Sequence, residues 1–276
     1  MLLTVIKIVV TSAMVLGLSW LSERVGPKVA GVFAGFPLGI AVSLFFIGVE
    51  QGPDFAATAA TSTVGGLSAS LAFCVVYWLV SKNSGVINVV LTSVLSLAAF
   101  FGAAALISLL PQDRWVLTGL TVIMVGLAIL IFRKIQNVSA DSGKNVVVTP
   151  LILLVRAAVA TAIVLAITGL ASAIGEEWSG LLSGFTITLY PVLVIVHVTY
   201  SEREVHGIIK NFPFGIGSLI IFALTGSLLF APLGIYWGAL VAVVLSSLYL
   251  AAVSLVMFIS APKPDTPSAA SDLPNR

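Results

Sequence analysis

Nine continuously apolar runs, each about long enough to cross a bilayer, leave this chain few folds to choose from. A membrane-spanning helix needs about 20 apolar residues. Such runs lie near residues 2–22, 29–49, 57–81, 86–110, 115–132, 150–174, 179–200, 208–230 and 235–259. They are continuous rather than alternating, which predicts helices and not the strands of a membrane barrel. The expected fold is all-α, a polytopic transmembrane helical bundle of about nine spans. Composition agrees: of 276 residues, 59% are hydrophobic and 9% charged, against roughly a quarter charged in a soluble globule. The single cysteine, Cys74, lies inside an apolar run, which excludes disulfides and cysteine metal sites within one chain.

The chain also matches itself. At an offset of 149, Lys7 pairs with Arg156, Ala13–Leu16 with Ala162–Leu165, Leu21 with Leu170 and Gly26 with Gly175. Gly31, Gly35 and Phe36 then pair with Gly180, Gly184 and Phe185, and Gly66, Phe73 and Gly85 with Gly215, Phe222 and Gly234. The acidic helix ends, Glu50-Gln51-Gly52 and Ser201-Glu202-Arg203, match with a local shift of three residues. This predicts two four-helix membrane repeats, residues 1–110 and 150–260, with a linking helix and cytoplasmic loop at 111–149. The one extra crossing inverts the second copy. The tail, 261–276, has the proline-rich polar composition of a disordered segment. The start, Met1-Leu-Leu-Thr-Val-Ile-Lys7, lacks the basic region and cleavage site of a signal peptide, so the first run is expected to stay as part of the fold.

Charge placement tests the inversion independently, because Lys and Arg collect in cytoplasmic loops. With nine spans, one side receives Arg24, Lys28, Lys82, Arg133, Lys134, Lys144, Arg203, Lys210, Lys263 and Arg276, and the other only Arg114. The N-terminus is therefore expected outside and the C-terminus in the cytoplasm. Glu50, Asp54, Asp113, Glu176 and Glu177 fall on the external side.

In the second copy, Arg156, Trp178-Ser-Gly180-Leu-Leu-Ser-Gly-Phe185 and Val196-His197-Val-Thr-Tyr-Ser201-Glu202-Arg203 resemble the GlpM-type family of small bacterial inner-membrane proteins. The first copy keeps Lys7, Gly31 and Phe36-Pro37 but has Val49-Glu50-Gln51-Gly52 where the second has Ser-Glu-Arg. The resemblance implies a module of this size that pairs with an inverted partner, here fused through one extra helix, and a bacterial inner (plasma) membrane location. It implies architecture more than activity.

The candidate site lies where the copies agree. Small residues recur every fourth position, Gly31, Gly35 and Gly39, then Gly180, Gly184 and Thr188. That spacing puts them on one helix face, where backbones approach closely, and the two faces are expected to meet at the centre. Pro37 should kink or break its helix, and Pro191 should do so in the second copy, with the break moved. Tight packing accounts for the glycines; the alternative is a pair of broken helices that free backbone groups for a solute near the midplane. On that alternative Gly35, Phe36, Pro37, Gly184, Phe185, Thr186, Thr188 and Tyr190 contact the solute. Lys7 and Arg156 are the charges well inside predicted spans. Either they snorkel to the interface, or they face the interior and attract an anion from opposite sides. His197 reads as a hydrogen-bonded packing residue, with a proton relay as the alternative. His206, with Glu202 and Lys210, reads as a solvated helix start, and the tryptophans as interfacial anchors.

No phosphate-binding loop, metal-ligand spacing or nucleophile motif occurs, so neither a cofactor, a metal nor an enzymatic activity is expected. The expected partners are the lipid bilayer and a small anionic solute, with no nucleic acid. The sequence leaves the oligomeric state open. The expected function is a secondary transporter or permeation pathway; the alternative is a membrane scaffold, accessory subunit or lipid-binding protein.

Overall fold

The structure, a computed structural model, describes residues 2–25, 36–82, 85–134, 149–199 and 202–259. Gly31 and Gly35 of the predicted site, and the tail from residue 261, lie outside the described residues. Every regular element among the described residues is a helix: α1 (Leu2–Val25), α2 (Leu38–Gln51), α3 (Pro53–Val80), α4 (Val86–Ser108), α5 (Arg114–Lys134), α6 (Pro150–Ser183), α7 (Leu189–Thr199) and α8 (Glu202–Ile259). Of these, α3, α4, α5, α6 and α8 are long and apolar enough to cross a membrane.

A straight helix as long as α8, 58 residues, would run about 87 Å at 1.5 Å per residue, far beyond the ~30 Å of hydrocarbon in a bilayer. The chain turns inside it. Gly234 adopts φ 73° and ψ 166°, a left-handed φ that a side chain resists and glycine accepts. The turn falls between the apolar runs at 208–230 and 235–259. Gly175, at φ 80° and ψ 173°, likewise divides α6 between the runs at 150–174 and 179–200.

The bundle is built around α3, which packs against α2, α4, α5, α6 and α8. Its sequence explains the position: Ala56, Ala59, Ala60, Thr63, Gly66 and Ser70 are small and buried, so neighbouring backbones come close from several sides. A Cβ on Gly66 would strike the Leu181 carbonyl, and one on Gly180 the Ala59 carbonyl. A Cβ on Gly184 would lie 2.6 Å from the Gly66 carbonyl carbon. Hydroxyls of α3 fasten the contact, with Thr63 donating to Gly180 O at 3.0 Å and Ser70 to Gly184 O at 2.8 Å. Gly180 and Gly184 therefore meet α3; of the first stripe, Gly39 meets Ile187, and Gly31 and Gly35 lie outside the described residues.

α1 packs along α6. Lys7 reaches Thr168 and Ser12 reaches Thr161, so the α6 partner moves backward as α1 moves forward and the two helices are antiparallel.

The outside is apolar. Ile87, Val90, Leu91 and Val94 of α4, Ile123 and Leu130 of α5, and Leu240 and Leu248 of α8 are all exposed. An apolar surface of this extent calls for lipid rather than water, as in a membrane protein. Trp115 and Trp237 are exposed close to a helix start and to the Gly234 turn, where interfacial anchors sit.

Candidate functional site

The break between α6 and α7 faces the start of α2. In the second copy α6 ends at Ser183 and α7 begins at Leu189. The Phe185 amide donates to Leu182 O at 3.0 Å, and the Ile187 amide to Phe185 O at 2.8 Å, tightening the chain into a turn of the γ class. The ladder restarts with Tyr190 N donating to Thr186 O at 2.9 Å. In the first copy Leu38 N donates to Phe36 O at 2.8 Å and Ala41 N to Pro37 O at 2.7 Å. These last two bonds join the residues 149 positions before Ile187–Phe185 and Tyr190–Thr186.

Pro37 thus stands at the N-cap of α2, with φ −75° and ψ 24°. Pro191 breaks nothing. It is the third residue of α7, in the first turn, where a missing N–H costs no intrahelical bond. The break sits at Gly184–Thr188, and the expectation that it had moved to Pro191 is corrected.

The two turns touch. A Cβ on Gly39 would lie 2.9 Å from Ile187 Cβ, so the absence of a side chain at Gly39 is what lets them close. Between them is a cavity of about 10 Å³, roughly the room one water molecule needs. Phe36, Gly39 and Ile40 from the first copy and Phe185, Thr186, Ile187 and Thr188 from the second line it, with Phe212 and Leu219 of α8 closing one wall. No charged side chain lines it among the described residues. Thr186 is 5% exposed and its hydroxyl has no hydrogen-bond partner. An unsatisfied buried hydroxyl costs about 1–3 kcal/mol, so its retention beside a cavity is informative.

Phe185 anchors the second turn. Its ring meets Phe100 at 4.9 Å, Phe73 at 5.5 Å and Tyr190 at 5.8 Å between centroids, the first two edge to face, an arrangement aromatic rings prefer. Tyr190 supports Phe185 from outside the cavity lining. Pro37 is buried beside the first turn.

Lys7 and Arg156 are both buried, at 4% and 8% exposure, and neither lines the cavity. The Lys7 ammonium lies 2.7 Å from Glu50 Oε2, donates to Thr168 Oγ1 at 2.8 Å, and sits 5.8 Å from the Phe46 ring centroid. Its charge is matched by the protein's own carboxylate.

The histidines divide. His197 is fully buried, 3.3 Å from the Tyr77 hydroxyl through Nδ1, as a packing residue should be. His206 is half-buried, with Nε2 3.1 Å from Ser81 Oγ and its ring 5.1 Å from that of Trp78. It is not the solvated helix start expected, because α3 brings Trp78 and Ser81 over it.

Sequence reading missed Ile40, Ile187, Phe212 and Leu219 of the lining. Phe212 and Leu219, seven residues apart on one face of α8, carry the ordinary signal of a core face. It also missed the Glu50 and Thr168 partners of Lys7. No family model, no curated protein and no solved structure matches this chain.

Proposed function

We propose that this protein is a secondary transporter or permeation pathway built from two inverted four-helix repeats and a linking helix, nine spans in all. Its solute site lies between the turns at Phe36–Gly39 and Phe185–Thr188. One observation carries the reading: the break between α6 and α7 and the start of α2, with matching hydrogen bonds 149 residues apart, flank a cavity beside the unpartnered Thr186 hydroxyl. Discontinuous helices meeting at a repeat interface are a recurrent transporter arrangement. The antiparallel pairing of α1 with α6 supports the inversion, as do the helix breaks at Gly175 and Gly234, which separate predicted runs.

The lining of phenylalanine rings and threonine hydroxyls favours a small uncharged solute with an apolar body. The anion expected from Lys7 loses support, since Glu50 already neutralises that charge. With a cavity of about 10 Å³, the state described is closed around the site. The location proposed remains a bacterial inner membrane, with the N-terminus outside, as the charge bias and the GlpM-type resemblance imply.

The test is a thermal-stability screen of purified protein against matched solutes, primary amides and the carboxylates of the same skeleton, with Thr186→Val alongside. A ligand of the folded state raises apparent stability. Amides that stabilise the wild type and not the variant would support the site. If no solute acts and reconstituted vesicles show no flux, the proposal fails. A scaffold is the second reading, favoured by the close contacts of Gly66 and Gly180 with carbonyls of facing helices; it predicts stabilisation by lipid alone.

A further inference from the structure

The Lys7–Glu50 pair and the cavity lie along one face of α2. Gly39, Ser43, Phe46 and Glu50 follow one another at steps of four, three and four residues, which sets them in a single row on a helix. Gly39 lines the cavity at one end. Toward the other end the Phe46 ring centroid is 5.8 Å from the Lys7 ammonium, and Glu50 holds that ammonium at 2.7 Å. The Glu50 side chain keeps 25% exposure, so the row leads from the surface to the cavity.

Ser43 stands between the two ends. It is fully buried, and its hydroxyl has no hydrogen-bond partner. A helix offers a buried hydroxyl the carbonyl one turn back, and Thr61, Thr63, Thr168 and Ser183 all take it. Ser43 does not. On α1, Thr11 lies one turn from Lys7 on the same face, toward the middle of the helix, 3% exposed and likewise unpartnered. α1 packs against α2, so both hydroxyls lie inward of the ion pair, on the two helices that form it. Buried polar groups are ordinarily hydrogen-bonded. Two left unpaired beneath one ion pair mark a place kept for a polar group that comes and goes, and a hydroxyl can both donate to such a group and accept from it.

We infer that the Gly39–Glu50 face of α2 is the route between the cavity and the aqueous side at the Glu50 end. The hydroxyls of Ser43 and Thr11 form a subsite on it for the polar end of an uncharged solute, and the Lys7–Glu50 pair closes it. This rests on the transport reading above. Lys7 also donates to Thr168 of α6. Releasing Glu50 therefore frees α2 from α1 while Thr168 still holds α1 to α6.

Side-specific thiol labelling tests this without a known solute. Cys74 is fully buried; in a C74A background, S43C and T11C place thiols on the route and T186C places one in the cavity. T121C is the control, since the native hydroxyl is fully buried and bonded to Val64 O. Each is probed with a membrane-impermeant methanethiosulfonate in vesicles of each orientation. E50Q leaves a buried ammonium without its carboxylate, which favours opening to water. It should raise labelling of S43C and T11C from the Glu50 side at least about tenfold, because a minor state at roughly 0.1–10% becomes dominant. The swap K7E/E50K should return labelling to the parent level, and T121C should stay unlabelled throughout. If T121C labels as fast as S43C, the bundle has loosened as a whole and the route is overturned. If S43C labels equally with and without E50Q, the pair is not its closure. If T186C labels while S43C and T11C stay silent, the cavity opens by another way: the route is refuted and the transport reading stands. If none of the three labels from either side in any variant, no end of the cavity opens and the transport reading falls with the route.

Discussion

The hydroxyls of Ser12 and Thr161 lie 3.3 Å apart and 149 residues apart in sequence. Under the proposed inverted repeat, a residue that touches its own counterpart would lie beside the two-fold axis relating the copies. Placed there, S12C and T161C should form a disulfide under mild oxidation, since bridged Cα atoms sit roughly 4.4–6.8 Å apart. A cleavage site engineered into the 135–148 connection would report the link as fragments that stay joined without reductant. Fragments that separate under oxidising conditions would remove the axis.

Lys7→Gln should cost about 2 kcal/mol of stability, less than the loss expected for a fully buried pair, because the Glu50 side chain keeps 25% exposure. The double variant Lys7→Gln/Glu50→Gln should recover part of that loss. Thermal unfolding in detergent, run as a double-mutant cycle, gives the coupling. Additive losses would show that the pair contributes nothing beyond its two members.

Gly180→Ala should destabilise by about 1–3 kcal/mol, since the new methyl meets the Ala59 carbonyl. Gly126→Ala on α5 has nothing within 4 Å of the added carbon and should be neutral or stabilising by up to ~1 kcal/mol. The pair is compared by unfolding midpoint under one set of conditions. Equal shifts would mean that the close approach of α3 and α6 is not where the structure has it.

Thr186→Val should raise stability by about 1 kcal/mol by removing an unsatisfied buried hydroxyl, while lowering solute binding or flux. Opposite signs for stability and activity are the signature of a group kept for function. A variant that loses stability would instead assign the hydroxyl a packing role.

Much of the fold was legible because its signals are local. A continuous apolar run must satisfy its backbone within itself in lipid, so helices follow from the runs alone. The glycines that turn the chain, Gly175 and Gly234, fall between runs that hydropathy had already separated. Glycine, phenylalanine and basic residues recur at one offset in the sequence, and that offset directed attention to Phe36 and Phe185, which line the cavity.

The rest required partners far apart in sequence. Proline suggested a break at Pro191, but the ladder fails at Gly184–Thr188, where carbonyls and amides turn away from the helix and Ser70 of α3 takes up the Gly184 carbonyl. No local rule distinguishes a Lys7 that snorkels from one that meets Glu50, 43 residues on, and Thr168, 161 residues on. The sequence by itself determined an apolar helical chain with an internal echo, because hydropathy and spacing act along the chain. Only the tertiary structure decided which helix faces meet, which charge is neutralised and that the Thr186 hydroxyl, among others, is left unpaired beside the cavity, because those depend on how separate helices pack.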